Sequence, residues 1–223
     1  MREAGVAALP SPVEFPDAGT ARPIEQIAWG KMTTVYRAEL DGRTVALKIY
    51  RRRYIDRHAA RHPTNIAEFE FNRNAAFRSA PGLARHAPRP IACVHGPSVT
   101  AFAQELVEGD LYLDVSVRRG GPIEPVFDQI RRIVDIAHAH GLFDIDLHAL
   151  NVLVVEDGGE EIPVFFDFNA IPFYQDPRNP FEALALRLGV IDERTRDRKK
   201  LRTFHDFEKF LKRRARVLAR RTA

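Results

Sequence analysis

Three polar stretches interrupt apolar runs of this sequence, and each carries groups that could do chemistry. The densest is residues 143–151 (FDIDLHALN), where two acids, a histidine and an amide are crowded between apolar residues. Charged groups in an apolar setting are costly unless they are paired or bound to a metal ion. A segment that concentrates such groups is therefore more often functional than structural.

The other two stretches lie in or directly after predicted strands. Residues 167–169 (DFN) follow the apolar run 164–166, and a carboxylate at the end of a strand is well placed to hold a cation. Asn169 tolerates the left-handed backbone that a sharp exit from the strand would require. Lys48 lies within the apolar residues 45–49 (VALKI). Taken alone, a lysine in mid-strand more often faces solvent on the alternate side of a sheet.

A β-hairpin is the clearest local signal, and it would position Lys48. Residues 33–40 (TTVYRAEL) alternate in polarity and are rich in β-branched side chains. Asp41-Gly42 is a strong hairpin turn, and residues 44–50 return as the partner strand. This pattern predicts two antiparallel strands with Lys48 in the second.

The remaining elements are predicted from apolar periodicity and from turn residues. They are a helix over 66–78, strands around 89–94 and 100–106, a short helix after residues 105–111, a helix over 127–140 closed by Gly141, a hairpin of 152–155 with 164–166, and a final helix over 203–219. Residues 1–22, rich in proline, resemble an extended and loosely held arm, and residues 51–63 a charged connection. Strands that precede helices in this way predict an α+β fold.

Together the three polar stretches resemble the protein-kinase superfamily. VALK matches its lysine strand, DIDLHALN its catalytic loop, and DFN its metal-binding motif. The spacing is the specific part, because Asp146 and Asn151 are five residues apart and Asp167 follows one hairpin later. The Asp-Leu-His-x-x-Asn variant looks like that of an atypical bacterial branch that includes lipopolysaccharide-core kinases, RIO-like kinases and the PhoP-regulated YrbL group. The resemblance covers about residues 24–172.

The resemblance implies a two-lobed protein-kinase-like fold, with a small antiparallel β-rich N-lobe at 23–107 and a short, mainly helical C-lobe at 108–223. It also implies ATP and Mg²⁺ as cofactors. Asp146 would accept or orient the proton of the acceptor hydroxyl, and Asn151 and Asp167 would hold Mg²⁺. These roles remain expectations that follow from the resemblance.

Nucleotide-binding roles follow in the same way from the resemblance. Lys48 would contact the α- and β-phosphates, and an acid on the next helix would orient it. Glu70 suits the family's spacing, with Glu68 as the alternative. Gly30 would belong to the loop that covers the nucleotide, and the backbone near Glu105 and Val107 would bind adenine. The sequence departs from the family pattern at three points, which are a single glycine in that loop, Asp144 in place of histidine, and Asn169 in place of glycine.

Composition restricts the remaining function classes. The single cysteine, Cys93, excludes an intramolecular disulfide and a cysteine-only metal site. No apolar run approaches the length of a membrane span, so a cytoplasmic protein is expected. The net charge of +4 is unevenly placed, because Lys and Arg far outnumber Asp and Glu from Arg194 onward, and the basic final helix could contact an anionic surface at the inner membrane. Nucleic acid is not expected, because no base-stacking aromatic cluster accompanies this charge.

Three functions are compatible with these residues. The first is an ATP-dependent phosphotransferase acting on a hydroxyl of a sugar, an envelope glycolipid or another small molecule. The second is a RIO-like protein Ser/Thr kinase, and the third is a nucleotide-binding pseudokinase that regulates a partner. Retention of Lys48, Asp146, Asn151 and Asp167 argues against the third, since a scaffold without catalysis has no need of all four.

Overall fold

The computed structural model describes residues 9–172, 174–177 and 179–204. The chain divides into two units. The first comprises Met1–Asn72 and Arg89–Val107, and the second comprises Arg73–Pro88 and Glu108–Ala223. This division differs from the predicted one in assigning residues 73–88 to the second unit.

The first unit is built on a six-stranded antiparallel sheet with the strand order β1-β2-β3-β4-β6-β5. Its strands are β1 (Val13–Phe15), β2 (Gly19–Trp29), β3 (Thr33–Leu40), β4 (Arg43–Tyr50), β5 (Pro90–His95) and β6 (Thr100–Glu105). Small and β-branched residues of adjacent strands, among them Ala38, Val45 and Ala103, pack into one buried cluster. Burial of that apolar surface stabilises the sheet that carries Lys48.

The predicted hairpin is confirmed as β3 and β4. The two strands pair in continuous register, with Val35 opposite Lys48. Asp41 and Gly42 have φ of 50° and 71°, and two residues of positive φ are what a type I′ hairpin turn requires. The turn therefore fixes the register, and the register fixes the face of the sheet from which Lys48 projects.

Two predictions for the first unit are wrong. The loosely held arm does not extend through residues 13–22, because β1 and the first part of β2 pair there and bury Val13, Phe15 and Ala21. The charged connection after β4 contains a helix, α1 (Arg52–Ala59), which buries Tyr54 and Ile55 on one face. The apolar positions in both segments are too few to reveal either element by periodicity.

The next helix, α2 (Ile66–Ser79), matches the predicted span to within one residue. Asn65 and Glu68 form a reciprocal cap, in which the Glu68 amide donates to Asn65 Oδ1 and Asn65 Nδ2 donates to Glu68 Oε2. The first bond satisfies the Glu68 amide, one of the amide groups that have no partner within the helix, and the second joins the two side chains. The division between the units falls within α2, so Glu70 belongs to the first unit and Phe77 to the second.

The second unit combines helices with a three-stranded sheet of order β7-β8-β9. Its elements are a 3-10 turn (Ala84–His86), β7 (Asp110–Leu111), α3 (Tyr112–Arg119), α4 (Glu124–Ala139), β8 (Val152–Asp157), β9 (Glu160–Phe165), α5 (Pro180–Arg187) and α6 (Thr195–Phe204). The predicted apolar face of α4 is confirmed, because Ile130, Ile133, Val134 and Ala137 are all buried. The hairpin predicted after the catalytic loop is confirmed as β8 and β9.

The final predicted helix, over residues 203–219, lies from residue 205 onward outside the described residues. Its expected contact with an anionic membrane surface therefore stays a prediction. Among the residues that the structure describes, none of the helices is both long and apolar enough to cross a bilayer.

Gly109 lies too close to strand β8 to carry a side chain. A Cβ atom there would lie 2.8 Å from the carbonyl oxygen of Val154 and 2.8 Å from a methyl carbon of Val155. Gly109→Ala is therefore expected to lower the free energy of unfolding by about 1–3 kcal/mol, because backbone of β8 must shift. Urea unfolding measures the change.

Gly121→Ala is the matched control for this substitution. A Cβ at Gly121 meets no atom within 4 Å, and its φ is not positive. The control is expected to change stability by no more than about 0.5–1 kcal/mol. Equal unfolding midpoints for the two variants would contradict the close packing of residue 109 on β8.

Candidate active site

Lys48 and Glu70 form a buried ion pair in the first unit. Their side chains are 4% and 0% exposed. Lys48 Nζ donates to Glu70 Oε1, and the Tyr50 hydroxyl donates to Glu70 Oε2. The ammonium also lies 5.8 Å from the centre of the Phe102 ring, within the range of a cation–π contact. Lys48 therefore does not face solvent, and the solvent-facing alternative is wrong.

The structure decides between the two acids, Glu68 and Glu70, that the sequence offered as partners for Lys48. Glu70 contacts the ammonium, whereas Glu68 is exposed and bonded to Asn65 at the start of α2. The difference follows from the helix period, since residues two apart point in different directions. Glu70 is thus the acid that holds Lys48 in place.

The other predicted nucleotide-binding residues lie in loops and strand ends of the first unit. Gly30 closes the β2–β3 turn, with its amide 2.9 Å from the Thr33 carbonyl oxygen. A Cβ at Gly30 would have its nearest contact at 3.5 Å, so the fold alone does not require glycine there. Glu105 ends β6 and exchanges backbone and carboxylate hydrogen bonds with Arg89, and Val107 follows as the last residue of the unit.

Asp146, in the predicted catalytic loop of the second unit, is held by several side chains. Lys200 Nζ lies 2.9 Å from its Oδ1, and Asn151 Nδ2 lies 3.0 Å from its Oδ2 and 3.1 Å from its carbonyl oxygen. His148 Nε2 is 3.9 Å from Oδ2. Sequence reasoning paired Asp146 with Asn151 by spacing but did not find Lys200.

These contacts determine the charge of Asp146. Burial alone would raise its pKa, because an ionised carboxylate loses hydration. The nearby charges of Lys200 and His148, with hydrogen bonds from Lys200 and Asn151, outweigh burial and hold the pKa below its ordinary value. Asp146 is therefore ionised at neutral pH and able to accept a hydrogen bond from a hydroxyl.

The backbone of this loop has an uncommon conformation. Asp144 and Asp146 have φ of 55° and 47°, a region that few residues other than glycine adopt and that aspartate tolerates better than most. Arg73 Nη2 holds the preceding carbonyl groups, at 2.7 Å from Phe143 O and 3.1 Å from Asp144 O. The Asp144 amide donates to Asp197 Oδ2 at 2.7 Å. Contacts from α2 and α6 thus stabilise the strained segment that presents Asp146.

Asp144, at a position where the resemblance implies a histidine, has a counter-charge in the structure. Its side chain is 1% exposed, and its Oδ2 accepts a hydrogen bond from Arg196 Nη1 at 3.0 Å. A buried carboxylate without such a partner would be strongly destabilising. The aspartate at residue 144 is therefore paired with an arginine from α6 that lies more than fifty residues away in sequence.

Asn151 and Asp167 flank the same end of the β8–β9 hairpin. Val152 pairs with Phe165, so Asn151 precedes and Asp167 closely follows one end of the ladder. The Asn151 amide nitrogen donates to Asp146, which leaves its side-chain oxygen for another ligand. Asp167 Oδ1 accepts a hydrogen bond from Asn169 Nδ2. Oxygen donors of this kind suit Mg²⁺, and the residues fit the cation that the resemblance implies.

The role expected for the Asn169 backbone is wrong. Asn169 does not have a positive φ, and the left-handed residues lie instead in the catalytic loop, at Asp144 and Asp146. Asn169 acts through its side chain, which contacts Asp167. Phe168 between them is 1% exposed and packs 5.0 Å from the ring of Phe77, which anchors the motif in the core.

Helix α6 supplies residues that sequence reasoning missed. Asp197 is fully buried and accepts from His138 Nε2 at 3.0 Å as well as from the Asp144 amide. Arg196, Asp197 and Lys200 all contact residues 144–146, although they lie in a mostly basic stretch of sequence. One local signal was present, because Asp197 is the one acid within residues 194–202.

Comparison with solved structures gives the architecture. A crystal structure of a point mutant of the PknI kinase domain from Mycobacterium tuberculosis superposes with a TM-score of 0.53 and 19% sequence identity, covering 74% of this chain and 65% of that domain. The chain has a protein-kinase-like fold. A second crystal structure of the same kinase domain gives a TM-score of 0.48 with the same identity and coverage. No protein-family model matches the sequence, and no curated protein matches it.

The kinase-like fold confirms the predicted α+β class, with an antiparallel β-rich first unit and a mainly helical second unit. The chain spans about 65% of the length of the kinase domain that it resembles. At 19% identity this likeness concerns the fold alone, so activity has to be argued from the site residues.

Proposed function

We propose that this chain is an ATP-dependent phosphotransferase that transfers the γ-phosphoryl group to a hydroxyl. The observation that carries this proposal is the placement of Asp146, a carboxylate that Lys200 and Asn151 hold in a loop where its own φ is positive. A carboxylate presented in this way is equipped to orient a hydroxyl for attack. Asn151 and Asp167, at the same hairpin end, supply the oxygen ligands for a magnesium ion.

The resemblance implies which residues would bind ATP and its cation. Lys48 in the first unit would bind the α- and β-phosphates, and its pairing with Glu70 would keep the ammonium charged and oriented. Asn151 and Asp167 in the second unit would hold Mg²⁺, which when bound neutralises phosphate charge. Gly30 and the backbone near Glu105 and Val107 would contact the nucleotide as the resemblance implies.

The transfer step is an in-line displacement at the γ-phosphorus. The bond from that phosphorus to the bridging oxygen of ATP breaks and ADP leaves, while a bond forms to the acceptor oxygen. The acceptor's proton passes to the Asp146 carboxylate or, late in the reaction, to the transferred phosphate. Asp146 contributes mainly by orienting the hydroxyl, because phosphoryl transfer depends on positioning and electrostatic stabilisation.

For the acceptor we propose a hydroxyl of a sugar, an envelope glycolipid or another small molecule. The support is the Asp-Leu-His-x-x-Asn form of the catalytic loop, residues 146–151, which resembles bacterial kinase-like phosphotransferases. A protein hydroxyl, as in RIO-like kinases, remains the second candidate on the same resemblance. Both candidates use the same ATP and magnesium residues, and an acceptor screen distinguishes them.

Thermal unfolding with ATP and MgCl₂ tests the proposal. At ligand concentrations about a hundredfold above Kd, the wild-type chain is expected to gain roughly 5–10 °C in Tm, and removal of magnesium should abolish most of the gain. Asp167→Asn is expected to lose the magnesium-dependent part while unfolding at nearly the wild-type temperature without ligand. The asparagine keeps the shape of the side chain but removes the charge that holds the cation.

Asp135→Asn is the matched control, because Asp135 lies on the exposed face of α4. It should behave as the wild type with and without nucleotide. Absence of any shift at millimolar ATP and magnesium would overturn the proposed function and favour a non-catalytic binding module.

A further inference from the structure

Lys200 of α6 contacts the carboxylate that the proposed reaction depends on. Its Nζ lies 2.9 Å from Asp146 Oδ1, and the two side chains are 24% and 26% exposed. An ammonium group has three N–H donors, and Asp146 is the partner that the structure shows among the described residues. The charge of Lys200 is therefore placed at the predicted reacting centre.

The backbone that carries Lys200 is firmly anchored. Asp197, one helical turn earlier, is fully buried and bonded to His138 and to the Asp144 amide. Phe204, one turn later, is fully buried with its ring 5.2 Å from that of Tyr112. Because α6 is held on both sides of residue 200, the lysine reaches Asp146 from a defined position.

We propose that Lys200 is a positioning residue for phosphoryl transfer, fixing the Asp146 carboxylate and placing a positive charge beside the acceptor oxygen. A hydroxyl held by Asp146 lies about 2.6–3.2 Å from that carboxylate. Lys200 Nζ is 2.9 Å from Oδ1, so the ammonium lies within about 6 Å of an acceptor oxygen held by that same atom. The inference rests on the proposed function, since it assigns Lys200 a part in the same reaction.

Two contacts together determine the orientation of Asp146. Lys200 holds Oδ1 and Asn151 holds Oδ2, so rotation of the carboxylate breaks at least one hydrogen bond. Without Lys200, Asn151 alone would hold the group and the lone pair that faces the hydroxyl would be less well aligned. The positive charge would also be lost from the place where phosphate charge arrives during transfer.

A purely structural ion pair is the competing explanation. A pair with about a quarter of each side chain exposed contributes little to stability, so unfolding experiments alone would not separate the two roles. A positioning role predicts a loss in kcat with little change in KM for MgATP, and recovery by a residue that restores the charge. A structural role predicts neither.

The experiment measures ADP release from MgATP, with water as the acceptor, in the full chain. Lys200→Met is expected to lower kcat about ten- to hundredfold and to leave KM for MgATP within about twofold. Lys200→Arg should recover much of the lost kcat because it restores a positive hydrogen-bond donor. Lys199→Met is the control, since Lys199 is the exposed neighbouring lysine on the same helix.

Each outcome decides the question. A wild-type kcat in Lys200→Met, a loss that appears in KM, or an equal loss in Lys199→Met overturns the role of Lys200 while leaving the proposed function in place. A wild-type chain that releases no ADP above the background of Asp146→Asn overturns the proposed function, and the role of Lys200 with it. Melting temperatures without nucleotide identify any variant that has merely failed to fold.

Discussion

Replacing Asp146 with asparagine is expected to reduce ADP release by about 10²–10⁴-fold while leaving magnesium-dependent binding of ATP intact. Asparagine has nearly the shape of aspartate and can still accept a hydrogen bond from Lys200 through its oxygen. It cannot take up a proton, and it lacks the charge that draws the acceptor hydroxyl into line. Turnover is measured as ADP release and binding as the Tm gain with ATP and MgCl₂.

The comparison with Asp167→Asn makes this prediction specific. Asp167→Asn should lose binding and turnover together, whereas Asp146→Asn should lose turnover alone. Asp135→Asn, on the exposed face of α4, should lose neither. If Asp146→Asn turned over ATP at the wild-type rate, Asp146 would not be the group that orients the acceptor, and the role assigned to Lys200 would fall as well.

The parts of the fold that could be predicted are those that local sequence determines. The β3–β4 hairpin follows from alternating β-branched residues and from Asp41-Gly42, and α2 follows from the turn residues on either side of it. The five-residue spacing of Asp146 and Asn151 likewise describes one loop, whose two side chains meet in the structure. In each case the interacting residues are close together in the chain.

The parts that could not be predicted depend on distant residues. Arg196 and Lys200 contact Asp144 and Asp146 across more than fifty residues, and nothing in a basic stretch indicates which of its charges are buried. The sequence pattern of residues 194–202 is equally typical of a solvated helix. Such pairings are decided by tertiary packing, here by how α6 packs on the core through Phe204.

The first strand of the sheet was missed for a different reason. β1 has three residues, with Val13 and Phe15 buried and Glu14 exposed, and this is too short for an alternation to be recognised. Pro16 and Pro23 favour a turn or an irregular segment in the same region. Proline is compatible with a strand at a sheet edge or at an irregularity, and β2 has a register shift between Pro23 and Glu25.

Truncation of Glu70 to alanine is expected to lower the free energy of unfolding by about 3–5 kcal/mol. The change leaves the Lys48 ammonium in a site where its side chain is 4% exposed, and it removes the acceptor of the Tyr50 hydroxyl. An uncompensated buried charge is the main reason for a loss of this size. Urea unfolding of the purified variants measures it, and Tm gains with MgATP should fall in parallel.

Two further variants separate this cause from general damage to α2. Glu68→Ala removes an exposed acid that accepts a hydrogen bond from the Asn65 side chain, and a loss of no more than about 0.5–1.5 kcal/mol is expected. The double variant Lys48→Met with Glu70→Leu replaces both charges by apolar groups, and it should be more stable than Glu70→Ala although it cannot bind phosphate. A double variant less stable than Glu70→Ala would show that the loss arises from packing and not from the unpaired ammonium. A double variant as stable as the wild type would identify the ion pair as a feature retained for nucleotide binding, because apolar residues would then stabilise the fold equally well.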